Sequence, residues 1–312
     1  MKVHHGIEAF DKPEYAVVTS GSFDGVHLGH QKILQHLRNT ADKYGGETVL
    51  LTYWPHPRLV LPHESSEPLR MLMSMEEKIE ALKGLGLDHL VILPFSRTFS
   101  QKAPYDFIKE ILVEGIGTKR MVVGYDHRFG KNREGNFNFL KKNALHFGFE
   151  VEEIARQDID QKAVSSTQTR LLLLEGKVDL AAKLTGRNYR LIGKVEEGKQ
   201  IGRKLGFPTA NLRPVFEHKL IPLTGVYAVR AKWNNQHLSG MLNIGFNPTV
   251  KGKHQTIEVY LFDFSQDIYQ EEITIEFVQR IRNEVNFENL ETLQQQLVAD
   301  ESACRRILEE KK

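Results

Sequence analysis

His27 and His30 follow a glycine-studded stretch, Gly21-Ser22-Phe23-Asp24-Gly25-Val26, and lead into an apolar stripe of Ile33, Leu34 and Leu37. Spacing i, i+3 puts both rings on one side of the first turns of a helix, beside backbone N–H groups that lack intrahelical partners and at the positive end of the helix dipole. Phosphate is the ligand such a place attracts. Gly25 and Gly29 let a bulky nucleotide approach the backbone. On these residues alone, a polar loop carrying two surface histidines is an equal reading. A second helix start lies in Ser165-Ser166-Thr167-Gln168-Thr169-Arg170, where Ser165 and Gln168 have capping-box spacing and Arg170 stands one turn beyond Ser166. Its hydroxyls, N–H groups and guanidinium suit a triphosphate approached from the side opposite His27 and His30. A well-capped helix without a ligand would need no more.

A third feature is a loop in which Gly193, Gly198, Gly202 and Gly206 are interleaved with Lys199, Arg203 and Lys204. Bare backbone N–H groups and cations suit the covering of nucleotide phosphates, although the spacing is not that of a Walker A loop and a basic hairpin tip would look the same. Glu258 lies between Ile257 and Val259, so in a strand it faces away from both; periodicity alone favours plain solvent exposure.

These residues need scaffolds, and the chain is long enough for two. Its 312 residues are 40% hydrophobic and 26% charged, with a net charge of +2. That is globular composition, without a basic block for nucleic acid and without an apolar run able to span a membrane. The single cysteine, Cys304, excludes an intramolecular disulfide and a multi-cysteine zinc site, which fits a cytoplasmic protein. From Tyr15 to Ile154, strands at Ala16–Thr19, Gly46–Tyr53, His89–Leu93, Arg120–Val123 and Phe149–Ile154 alternate with helical segments. One helix is capped by Ser74 and Glu77 and stopped at Gly86. The pattern predicts a doubly wound parallel sheet, with ligands at the end of the first strand. After Gly186 the period becomes two, in Tyr189–Val195, Val226–Lys232, Leu238–Ile244, Ile257–Phe264 and Ile273–Phe277, which predicts an antiparallel sheet or barrel. A final helix aligns Leu290, Leu293, Leu297, Cys304 and Leu308 on one face. The boundary falls near Lys183, giving domains 1–183 and 184–312.

His27-Leu28-Gly29-His30 paired with Ser166-Thr167-Gln168-Thr169-Arg170 resembles the two signatures of the nucleotidyltransferase superfamily. With Phe23-Asp24-Gly25-Val26-His27, Pro55-His56-Pro57 and Gly124-Tyr125-Asp126-His127-Arg128-Phe129-Gly130, the first half resembles the FMN adenylyltransferase part of bifunctional riboflavin kinase/FAD synthetases. The second half matches the kinase part through Gly206-Phe207-Pro208-Thr209-Ala210-Asn211, Gly225–Val229, Gly240–Gly245 with Pro248-Thr249, Glu258, Phe262-Asp263 and Arg280-Ile281-Arg282.

The resemblance implies an α/β nucleotidyltransferase domain, a small kinase β-barrel, and two reactions: riboflavin plus ATP to FMN, then FMN plus ATP to FAD and pyrophosphate. It implies ATP binding by Ser22, Phe23, Asp24, Gly29, Ser166, Thr167, Gly198, Gly202, Lys204, Gly206, Thr209 and Asn211. Pro55, His56, Pro57, Asp126, Arg128, Phe129 and Arg280 fall to the flavin. Thr209 and Asn211 are implied as Mg2+ ligands, and Glu258 as the base for the ribityl hydroxyl. For adenylyl transfer, His27, His30 and Arg170 are expected as donors to the charge that develops on the phosphates, shared with Mg2+.

Four positions depart from the family pattern: His127 for Phe, Asn136 for Asp, Asn188 for Pro and Tyr260 for His. The rivals are a tRNA-directed member of the same superfamily and a flavin carrier without turnover. The sequence sets no oligomeric state.

Overall fold

The computed structural model describes residues 1–61, 70–124, 127–154, 158–159, 162–197, 206–249 and 252–311. The chain divides into two compact units, Met1–Ser165 and Ser166–Lys312.

The first unit is built on a parallel sheet of six strands, β1 (Lys2–His5), β2 (Ala16–Ser20), β3 (Glu47–Trp54), β4 (His89–Pro94), β5 (Thr118–Gly124) and β6 (Glu150–Ile154), in the order β1-β4-β3-β2-β5-β6. The order reverses between β2 and β5, where open α/β sheets bind ligands at their carboxyl ends. Every residue of β2 is buried, as expected for a strand covered on both faces. Val18, Val49, Leu51, Val91 and Met121 form one core with Phe107, Ile108, Ile111 and Leu112 of the helix Phe107–Ile116. A helix from Leu28 to Tyr44 packs on β2, β3 and β5. A short antiparallel pair, β7 (Asp158–Ile159) and β8 (Lys162–Ala163), completes the unit's strands.

The Ser74/Glu77 capping box forms in both directions, with Ser74 N–H to Glu77 Oε2 at 2.8 Å and Glu77 N–H to Ser74 Oγ at 3.2 Å. Its helix, Met75–Leu82, ends sooner than the expected stop at Gly86. Strand β1 lies outside the sequence reading. It is an edge strand, largely exposed and with Val3 its one apolar residue, that pairs only with β4, so it carries no apolar period.

In the second unit, helices Ser166–Leu174 and Val178–Thr185 precede a closed barrel of β9 (Tyr189–Glu196), β10 (Ala210–Pro214), β11 (Gly225–Trp233), β12 (Gln236–Thr249), β13 (Gly252–Leu261) and β14 (Glu272–Arg282). All its pairings are antiparallel. Leu191, Tyr227, Leu242, Ile244, Val259, Ile275 and Phe277 are buried. β13 stops at Leu261, short of the expected Phe264, before a turn in which Asp263 has φ 56°.

The terminal helix, Leu290–Glu310, covers the outer face through Cys304 and Leu308 against Phe207, Ala228, Met241, Phe262 and Val278. The expected leucine face is corrected at its start: Leu290 is 61% exposed, and buried Asp300 docks the helix by accepting a bidentate pair from Arg282. Among the described residues no helix is long and apolar enough to cross a membrane.

Candidate active sites

In the first unit, strand β2 runs into the Gly21–Val26 turn, and His27 becomes the N-cap of the Leu28–Tyr44 helix, its Nδ1 accepting the His30 N–H at 3.3 Å. Because Nδ1 accepts, the proton of the neutral ring sits on Nε2 as a donor. The His27 and His30 rings stack at 3.6 Å, and His30 stacks on Phe23 at 4.3 Å. Gly29 makes this possible, since a Cβ there would lie 3.1 Å from the His27 ring. The turn itself is strained: Phe23 has φ 48° and Val26 φ 39°, left-handed backbone that a bulky or β-branched residue rarely adopts.

Buried polar ties hold that turn. The Asp24 carboxylate is 1% exposed and accepts the Leu72 and Met73 N–H groups at 3.1 and 3.2 Å. Lys78 donates from Nζ to the Ser22 carbonyl at 2.7 Å and to Thr52 Oγ1 at 3.4 Å. Burial pushes the Lys78 ammonium down to about 8, opposed by the Asp24 charge. The sequence reading missed Lys78, although Met75, Lys78 and Leu82 at i, i+3, i+7 place it on the buried stripe of its helix.

The residues expected on the flavin side lie past other strand ends. His56 caps the short helix Pro57–Val60, accepting the Arg58 N–H at 3.1 Å, after the cis Trp54–Pro55 bond that follows Tyr53 at the end of β3. Beyond β5, Phe129 is buried against Phe107 and Phe139, so its ring belongs to the core, while Arg128 is exposed. His127 meets Ser20 Oγ at 3.4 Å and stacks on Phe129. Burial, with Arg128 and Arg133 adding to it, pushes the His127 imidazole down to about 4. Asn136 caps the helix Phe137–Phe147 by accepting the Phe139 N–H at 2.9 Å, a task Asn and Asp perform equally. Asp126 lies outside the described residues.

Ser166, Thr167 and Arg170 occupy the start of the helix Ser166–Leu174, the first element of the second unit. Thr167 is exposed there, and Ser166 and Arg170 are half-buried.

On the barrel, strand register assembles the second site. Asn211 of β10 pairs with Glu258 of β13, and Glu258 pairs in turn with Asn243 of β12. Directly paired residues share a face, so the three stand abreast. Ile257 and Val259, on the opposite face, are buried, and Glu258 is half-exposed. Thr209 Oγ1 donates to Glu258 Oε2 at 3.4 Å. Phe207 anchors this stretch against Tyr260, at 5.3 Å between ring centres, and Gly206 has φ 86°. Arg280 is held on the Thr224 carbonyl and Asn283 Oδ1. Asn188 precedes β9 and makes no described contact with the Thr209–Glu258 pair. Gly198, Gly202 and Lys204 lie outside the described residues.

Comparison with known proteins finds two families on separate stretches of the chain. The FAD synthetase family matches residues 9–168, and the riboflavin kinase family matches residues 185–308. The bifunctional riboflavin kinase/FMN adenylyltransferase of Haemophilus influenzae is 38% identical over 284 residues, 91% of each chain. That of Listeria monocytogenes is 37% identical over 97% of this chain and 96% of its own. A solved structure described as a macrolide-efflux protein from Streptococcus pneumoniae has a TM-score of 0.88 at 30% identity, covering 97% of this chain and 98% of that one.

Proposed function

The chain belongs to the bifunctional riboflavin kinase/FMN adenylyltransferase family, and from that premise we propose which of its residues carry each reaction. The protein phosphorylates riboflavin with ATP to FMN and transfers AMP from ATP to FMN, forming FAD and pyrophosphate. We assign the first reaction to residues 184–312 and the second to residues 1–183.

The contact between Thr209 and Glu258 carries the kinase assignment. Glu258 accepts the proton of the ribityl 5′-hydroxyl as that oxygen attacks the γ-phosphorus; the bond to ADP breaks, and the carboxylate stays in place beside the Thr209 hydroxyl. The donors here are a hydroxyl, an amide and a carboxylate, oxygen chemistry that fits Mg2+. Thr209 and Asn211 would share the ion with ATP phosphates and water. When bound, Mg2+ neutralises charge on the transferring phosphoryl group. Gly198, Gly202, Lys204 and Gly206 are assigned to the phosphates and Arg280 to the flavin.

For adenylyl transfer the nucleophile is the FMN phosphate, already an anion, so no general base is required. The chain's part is to position and neutralise. His27 offers Nε2–H, and His30 and the backbone N–H groups of the first helical turn lie beside it; Ser22, Phe23, Gly29, Ser166, Thr167 and Arg170 are assigned to ATP by the same chemistry. Asp24 contributes by shaping the turn, since both its oxygens accept backbone N–H groups. Pro55, His56, Pro57, Asp126, Arg128 and Phe129 are assigned to the flavin side. A cytoplasmic location belongs to this proposal and is supported by the lone, buried thiol of Cys304.

Incubation with riboflavin, ATP and Mg2+, with flavins separated by chromatography over time, is expected to show FMN first and FAD after it. FMN that never converts to FAD would remove the assignment of the first unit. Expressed alone, residues 184–312 are expected to phosphorylate riboflavin and not to adenylylate FMN. A fragment beginning at Ser166 is the control, because the helix Val178–Thr185 packs on β9 and β14.

A further inference from the structure

Lys78 occupies the buried stripe of its helix, where apolar side chains are the rule. It is 1% exposed, on the stripe shared with Met75 and Leu82. A buried ammonium persists only where neighbours use its charge and its donors. Those neighbours all lie off its own helix: the Ser22 carbonyl at 2.7 Å, Thr52 Oγ1 at 3.4 Å and the charge of Asp24. Thr52 donates to the same Ser22 carbonyl at 3.3 Å. Ser22 and Asp24 flank Phe23, the residue with φ 48°, and Phe23 carries His30 on its ring. Backbone in such a region is kept only when its surroundings over-determine it, and the ties on Ser22 and Asp24 do so here.

We propose that Lys78 is a positioning residue for adenylyl transfer: its cation fixes the Ser22 carbonyl, and with it the Ser22–Val26 turn, in the form that seats Phe23 against His30 and His30 against His27. The inference rests on the assignment of the two histidines to the ATP phosphates. A methionine at 78 fills the same space but leaves the Ser22 carbonyl with the Thr52 hydroxyl alone and removes the cation facing Asp24.

The test uses the full chain with FMN, ATP and Mg2+. In Lys78→Met, the kcat of adenylylation is expected to fall about 30-fold while KM for ATP moves less than about threefold, because misplaced donors are felt chiefly in the transition state. Riboflavin phosphorylation by the same molecules stays unchanged. Lys78→Arg, which restores a cationic donor, is expected to recover kcat to within about fivefold of the parent. A parental kcat in Lys78→Met, or a folded Lys78→Arg as slow as Lys78→Met, overturns the inference.

Should Lys78→Met lose the circular dichroism of the first unit, Thr52→Val carries the test. It removes one acceptor of Lys78 and the second donor to Ser22, and a roughly fivefold loss of kcat at constant KM is expected. An unchanged kcat overturns the inference. His30→Ala separates the two levels. If it adenylylates normally, the histidine assignment fails; if it is slow while Lys78→Met is normal, only the role of Lys78 fails.

Discussion

The two regions that we assign to phosphate are placed by opposite means. In the first unit, the Ser22–His30 turn is held from beneath by buried polar ties, with strained backbone at Phe23 and Val26 and a histidine serving as the helix cap. In the second, Asn211, Glu258 and Asn243 owe their common face to the hydrogen-bonded register of three strands, and none of the three has left-handed backbone. One site depends on groups packed under it, the other on the regularity of a ladder. Damage should therefore spread differently: through buried partners in the first, and residue by residue in the second.

The sharpest break of this comparison is His30→Ala. Loss of an oriented donor is expected to slow FAD formation by about 100- to 1,000-fold while FMN accumulates, as read by chromatography. Next is Glu258→Gln, which keeps shape and hydrogen bonding but removes the base we propose; riboflavin phosphorylation is expected to fall about 100-fold, with adenylylation of supplied FMN retained. Loss of both activities there would mean that the barrel site is not local.

A smaller effect separates support from chemistry. Asp24→Asn weakens the acceptors for the Leu72 and Met73 N–H groups and removes the charge facing Lys78. It is expected to cost about 2 kcal/mol, measured as an earlier unfolding of the first unit with the barrel unaffected. The least effect is on pH dependence. With the folded His127 pushed down to about 4 and the unfolded imidazole near 6.5, the unfolded chain binds the proton first as pH falls. Stability is lost from about pH 6.5 down to 4 and is flat above, by about 1 kcal/mol once solvent screening of a half-buried ring is allowed for. His127→Phe is expected to flatten that limb in denaturant titrations at pH 7 and pH 5; an unchanged slope would clear His127 of the effect.

The sequence displays one of these two designs better than the other. Alternation around Glu258 foretold its face, and the period of two foretold the barrel, because a ladder repeats its rule at every residue. Cooperation across distant segments has no such trace. Asp24 meets residues 72 and 73 and Lys78 meets Ser22, and in the sequence each is only a charged residue in a polar stretch. Lys78 was still legible, had its place on the buried stripe been weighed above its charge. The short strand β10 was hidden inside a motif, and Lys2–His5 among polar residues, since edges and brief strands need little apolar surface. Leu290 shows the converse: helical spacing offers a face, but tertiary packing decides how many turns of it are covered.

The row from Asn211 through Glu258 to Asn243 bears on which kinds of genetic change the barrel can absorb. Substitution at any one of its members leaves the others where they are. Insertion of a single residue into β13 ahead of Glu258 exchanges odd for even: the carboxylate turns into the packed interior, and a valine or isoleucine takes its place outside. A second inserted residue restores parity and returns an acidic side chain to the outer face, one pair further along. Length variants within these strands should therefore survive in steps of two, whereas the hairpin connections between them can grow one residue at a time.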